Sequence, residues 1–139
     1  MEFWDDGDRS SEDVKKHYFY RSDVKSWIGR LNGTPFAYLQ IYFITEHHQF
    51  NPWKSKKNTT LGLDFFIGES LFLGKGLAAD LLKHFIHDVI KAYLPCRLLV
   101  DPEGQNLKAL HIYNKMGFQQ IGELRNKSKV YKILKKDVS

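Results

Sequence analysis

Cysteine is almost missing from this chain: Cys96 is the only one in 139 residues. An internal disulfide is therefore excluded, and a reducing compartment, the cytoplasm, fits best. Long apolar runs are missing as well. None approaches the ~20 residues that a bilayer-spanning helix needs, and the acidic opening Met-Glu-Phe-Trp-Asp-Asp has no signal-peptide core. Repeats, low-complexity tracts and interdomain linkers are also lacking, which leaves one domain over residues 1–139.

Charge of one sign is not concentrated anywhere. The net +5 is spread along the chain, densest at Lys54 to Lys57 and Arg125 to Lys136. A basic excess suits a polyphosphate ligand, an acidic surface or nucleic acid, and equally a solvated face richer in Lys than Glu. Nucleic-acid binding needs cations gathered on one face with aromatics between them. Only Tyr131, beside Lys129 and Lys132, offers that, so neither nucleic acid nor membrane is expected as a partner. Six histidines are present, with His84 and His87 at helical spacing and His47 next to His48. No cysteine or carboxylate completes a recognised ligand spacing, so no metal is expected. Cys96 follows Pro95 at the start of an apolar strand, a poor place for a nucleophile.

What is present is a packable chain, 42% hydrophobic and 14% aromatic, which excludes disorder. Ser10 or Ser11 caps a predicted helix to about Tyr20, with Asp13 placed for a capping box. Lys25 to Leu31 and Phe36 to Ile44 read as strands about the Asn32-Gly33 hairpin signal. His47 to Asn58 is a loop with Pro52 and Trp53 near its centre. Thr60 to Gly68 is a third strand, with Leu61, Leu63, Phe65 and Ile67 on one face and Asp64 on the other. After Gly74-Lys75-Gly76, the residues Leu77, Leu81, Leu82, Phe85, Ile86 and Val89 keep helical spacing. Arg97 to Val100 is a short strand. Asn106 caps a helix to Met116 that Gly117 ends. Phe118 to Leu124 and Val130 to Leu134 form a final antiparallel pair. The order predicts an α/β sandwich on a mixed sheet.

Two segments carry chemistry. A strand, a Gly-x-Gly loop and an immediate helix make a site for phosphate: the first helical turn has free N–H groups and partial positive charge. By spacing alone it is also a plain tight turn, and it is no P-loop. The second segment is Asn-Leu-Lys-Ala-Leu-His-Ile-Tyr-Asn-Lys-Met-Gly-Phe, residues 106–118. It resembles the signature of the GNAT acetyltransferase superfamily, and the 74–76 loop upstream resembles that family's acetyl-CoA loop. Together with Leu-Asp-Phe-Phe-Ile-Gly at 63–68 and Val-Asp-Pro at 100–102, the chain is similar to the branch of aminoglycoside 6'-N-acetyltransferases and siderophore hydroxylysine acetyltransferases. The likeness covers Phe36 to the C-terminus. Leu71 departs from it, standing where the family often has Gln or Arg, and the chain is expected to begin after the family's first strand and helix.

The resemblance implies a GNAT fold and acetyl transfer from acetyl-CoA to a small-molecule primary amine. A 6'-amine of aminoglycoside type is favoured, a hydroxylysine acceptor is the alternative, and a non-catalytic acetyl-CoA-binding module is the reading from another class. Asp64 is the implied base, direct or through water, or the group that orients the ammonium; otherwise it is a solvated strand carboxylate. Backbone N–H groups at Phe66 or Ile67 are implied to face the developing oxyanion. Tyr113 is the implied donor to the leaving sulfur. Gly74, Lys75, Gly76, Leu77 and Asn106 are implied to hold acetyl-CoA, while Asp101, Glu103 and Trp53 join Asp64 around the amine. Solvated carboxylates and a core tryptophan are the plain readings of those three. A monomer or homodimer is expected.

Overall fold

The computed structural model describes residues 4–6, 24–31, 33–67 and 77–139. The strands are β1 (Trp4–Asp6), β2 (Val24–Leu31), β3 (Thr34–Phe43), β4 (Thr59–Ile67), β5 (Cys96–Val100), β6 (Gln119–Asn126) and β7 (Lys129–Val138); the helices are α1 (Leu77–Asp88) and α2 (Leu107–Lys115). One sheet holds all seven strands in the order β1-β2-β3-β4-β5-β7-β6. Its pairs are antiparallel except β4 with β5. This is the mixed sheet expected. The capped helix expected before Tyr20, Asn32 and the 74–76 loop lie outside the described residues.

Two differences from the sequence reading have physical causes. An edge strand, β1, stands ahead of β2 where no strand was predicted; three residues are too few for alternation to register. And β7 runs four residues beyond Leu134, through the polar stretch Lys-Lys-Asp-Val. There it pairs with β5 as far as Cys96–Val138, and the Arg97 guanidinium grips the Asp137 carboxylate from the neighbouring strand. Cross-strand charge pairing carries this stretch where apolar alternation is absent.

Each face of the sheet has its own core. On one, Leu39 and Ile41 of β3, Leu61 and Leu63 of β4, and Leu98 and Val100 of β5 meet the helices. Leu81, Leu82 and Phe85 of α1 are fully buried there, as the spacing predicts, with Asp80, Lys83, His84 and His87 outward. Each such large apolar side chain stabilises the fold by ~1.5–3 kcal/mol. Phe85 meets Trp27 of β2 edge-on at 5.3 Å. On the other face, Ile44, Phe50, Leu99 and Ile133 are buried under the loop that follows β3. Trp53, in a 3₁₀ turn (Asn51–Trp53), fits there because residue 122 is glycine: a Cβ on it would enter the indole.

Candidate active site

β4 and β5 are paired in parallel from Thr59–Cys96 to Gly62–Leu99. Past those positions the two strands are no longer joined, while β4 continues to Ile67 on β3 alone. Asp64 and Asp101 lie two residues beyond the last pair, one on each side of the opening. In an antiparallel ladder successive N–H groups point alternately to the partner and away. One of Phe66 and Ile67 therefore turns its N–H from β3 toward the gap. The Phe66 side chain is 51% exposed and lies 6.3 Å from the Tyr38 ring.

Asp64 comes from the face opposite the helices, in register with Gln40. Gln40 Nε2 donates to Asp64 Oδ2 at 2.7 Å, and the Tyr38 hydroxyl donates to Gln40 Oε1 at 3.1 Å. Burial pushes the Asp64 carboxyl above the usual carboxylate range, and the Gln40 bond pulls it partly back. Asp101 is pushed up to about 7, first by burial and then by the charge of Asp64, against a bond from its own backbone N–H. The charge of Asp64 thus reaches Asp101 across the opening.

Tyr113 arrives from the helix side. Asn106 caps α2, its Oδ1 accepting from Ala109 N at 3.1 Å. The C-terminus closes as a Schellman motif: Phe118 N donates to Tyr113 O at 3.0 Å, Gly117 N donates to Asn114 O at 3.0 Å, and Gly117 has φ +89°. Lys136 Nζ adds a bond to Met116 O at 2.8 Å. The motif's apolar contact is Tyr113 on Phe118, rings 5.3 Å apart. Tyr113 is thereby buried to 7% exposure. Burial, then the charges of Asp64 and Asp101, drive its phenol well above its ordinary pKa, so it stays a neutral donor. A phenol on the helix face senses carboxylates rooted on the opposite face because the sheet is parted between them.

Asp64, Asp101 and Tyr113 are thus brought together at the opening. Glu103 lies apart, lining a cavity of about 290 Å³ with Arg125, Lys129 and Lys132 of the β6–β7 hairpin. Its loop is fastened to β7 by Gly104 N to Val130 O at 2.8 Å and Lys132 N to Pro102 O at 2.9 Å, which holds Asp101 in place. Trp53 packs against Phe50, and its carbonyl accepts from Arg97 at 3.1 Å, toward the start of β4 rather than beside Asp64. Asn106 serves as the cap it was expected to be. The backbone of Leu77 opens α1; Gly74, Lys75 and Gly76 lie outside the described residues. Cys96 is fully buried, and burial raises its thiol. Sequence reasoning missed Gln40 and Tyr38. Their signal is their place on the polar-bearing face of β3, legible only once the β3–β4 register is known.

The fold and site define a class: a mixed sheet that opens beyond one parallel strand pair, with carboxylates and a neutral phenol at the gap. A family model described as an acetyltransferase (GNAT) domain matches residues 1–126, and the chain belongs to that family. An aminoglycoside N(6')-acetyltransferase type 1 of Klebsiella pneumoniae is 27% identical over 115 residues, 79% of this chain and 57% of the relative. A spermine/spermidine N(1)-acetyltransferase of Bacillus subtilis is 30% identical over 113 residues, 81% of this chain and 68% of the relative. The chain thus spans little more than half the length of the aminoglycoside relative. Aminoglycoside acetyltransferase AAC(6')-Ib, solved with coenzyme A and kanamycin, superposes with a TM-score of 0.72 at 21% identity, covering 89% of this chain and 73% of that one; at that identity the likeness is one of fold. None of the described helices is long and apolar enough to cross a membrane.

Proposed function

We propose that the protein transfers an acetyl group from acetyl-CoA to a primary amine of a small polycationic molecule, with an aminoglycoside-type 6'-amine as the favoured acceptor. The observation that carries this reading is the convergence of Asp64, Asp101 and Tyr113 on the gap between β4 and β5. Acetyl-CoA, when bound, supplies an acyl thioester. The groups suited to hold its reacting end are the gap-facing N–H of Phe66 or Ile67 and the Tyr113 hydroxyl, with the 74–77 segment for its phosphates as the family resemblance implies.

The amine arrives as an ammonium. Asp64 attracts and orients it, and a proton must leave before the nitrogen bonds to the acyl carbon. Asp101, poised at about 7, is matched to take that proton at neutral pH, directly or through water. As the carbon–sulfur bond breaks, Tyr113 donates a hydrogen bond to the sulfur. A phenol raised this far keeps its own proton, so the sulfur draws its proton from solvent or from the amine's side. A polyamine acceptor is the second reading, supported by the Bacillus subtilis relative. Two carboxylates beside the exposed Phe66 suit either polycation.

The test is thiol release from acetyl-CoA with kanamycin, spermine and hydroxylysine as separate acceptors. Release that requires kanamycin, with kcat falling at least about tenfold in Asp64→Asn and Tyr113→Phe, supports the proposal. Release with spermine or hydroxylysine instead reassigns the acceptor. Acetyl-CoA binding without turnover on any amine makes the chain a binding module, and absence of acetyl-CoA binding overturns the reading.

A further inference from the structure

We infer that Gln40 is a positioning residue: by gripping one oxygen of Asp64 it makes that carboxylate, rather than the facing Asp101, the anion on which the acceptor amine docks. This rests on the acetyl-transfer reading above. Gln40 stands at the centre of β3, 3% exposed, between the fully buried Leu39 and nearly fully buried Ile41. A buried primary amide is costly unless paired, and an apolar residue would satisfy that position on packing grounds alone. Its two bonds run in one line, Tyr38 hydroxyl to Oε1 and Nε2 to Asp64 Oδ2. The direction is fixed chemically. An ionised carboxylate only accepts, so the amide must turn its nitrogen to Asp64, which leaves its oxygen for the phenol.

Gln40 is the one hydrogen-bond partner of Asp64 among the described residues, so Oδ1 is left for a ligand. Among the described residues, Asp101 receives no side-chain donor, only its own backbone N–H. Two carboxyl groups therefore face one opening with unequal support, and the amide decides which of them carries the negative charge first. The other titratable groups facing Asp64 are Asp101, beyond β5, which the Asp64 charge pushes up, and Tyr113 of α2, which stays neutral. Among the described residues, the Gln40 N–H is the hydrogen bond that favours a charged Asp64.

The experiment pairs an NMR titration of the Asp64 carboxyl carbon with the pH profile of kcat/KM, in wild type, Gln40→Leu and Tyr38→Phe. In Gln40→Leu, Asp64 titrates at higher pH than in wild type. The acidic limb of kcat/KM moves up with it, giving a loss of about tenfold or more near pH 6.5 that shrinks by pH 9. Tyr38→Phe shifts both in the same direction by less. An unshifted Asp64 titration in a folded Gln40→Leu protein, or a loss of activity that is the same at every pH, overturns the inference. If Gln40→Leu does not fold, the isosteric Gln40→Glu puts a second carboxyl against Asp64 and must raise its titration further; no rise is equally fatal. The titration needs no turnover. A wild type inactive on every amine removes the acetyl-transfer reading while still deciding whether Gln40 controls Asp64.

Discussion

Asp101→Asn isolates the electrostatic cost of the opening between β4 and β5. In the unfolded chain this carboxyl ionises near 3.8, and in the folded protein it is pushed up to about 7. Below about pH 3 it is protonated in both states and costs nothing. Between pH 4 and 7 the unfolded chain releases the proton while the folded protein keeps it, so stability falls as pH rises. At 1.36 kcal/mol per pH unit the loss reaches about 4 kcal/mol above pH 7, and about 2 to 4 once residual solvent contact screens the charge. Asparagine keeps the oxygen that accepts from its own backbone N–H and removes the charge. Denaturant unfolding from pH 4 to 8.5 must therefore show wild type and variant nearly equal at pH 4, with the variant more stable by about 2 to 4 kcal/mol at pH 8. Other carboxylates are common to both proteins, so the difference curve belongs to Asp101 and, through it, Asp64. Parallel curves across the whole range would refute the placement of Asp101 as a buried carboxyl facing Asp64.

Gly62→Ala drives a methyl group into the Tyr42 ring, which is itself stacked on His48 at 5.5 Å. A loss of about 1–3 kcal/mol is expected in denaturant unfolding, and trimming Tyr42 to leucine in the same chain should recover part of it. Ser26→Ala should be neutral or stabilising by up to about 1 kcal/mol by the same measurement. Its hydroxyl is buried in register with Gln40 and finds no partner among the described residues.

Several features were legible in the sequence because local rules act on neighbours in the chain. The periodicity of Leu81, Leu82 and Phe85 defined α1 and its buried face. Asn106 and Gly117 bracketed α2, and the closing motif between them fixed Tyr113 against Phe118 without reference to the rest of the fold. Strict alternation put Asp64 on the face opposite Leu61 and Leu63. The family resemblance then joined Asp64, Asp101 and Tyr113 into one site, which spacing alone does not do, since they stand on three separate elements.

The tertiary structure decided what depends on strand pairing. The fifteen-odd residues between β3 and β4 carry no register information, so the facing of Gln40 and Asp64 emerges only when β3 and β4 zip together. The polar end of β7 is a strand because β5 lies beside it and Arg97 meets Asp137. Trp53 packs on Gly122, far away in sequence, rather than in the neighbourhood of Asp64. Most of all, β4 and β5 stay joined only to Gly62 and Leu99. That parting lets a phenol from the helix side and carboxylates from the other face act on one another. Side-chain type and spacing are properties of the chain; burial, charge coupling and the choice of which carboxyl holds a proton are properties of the gap, and the gap exists only after the sheet has assembled.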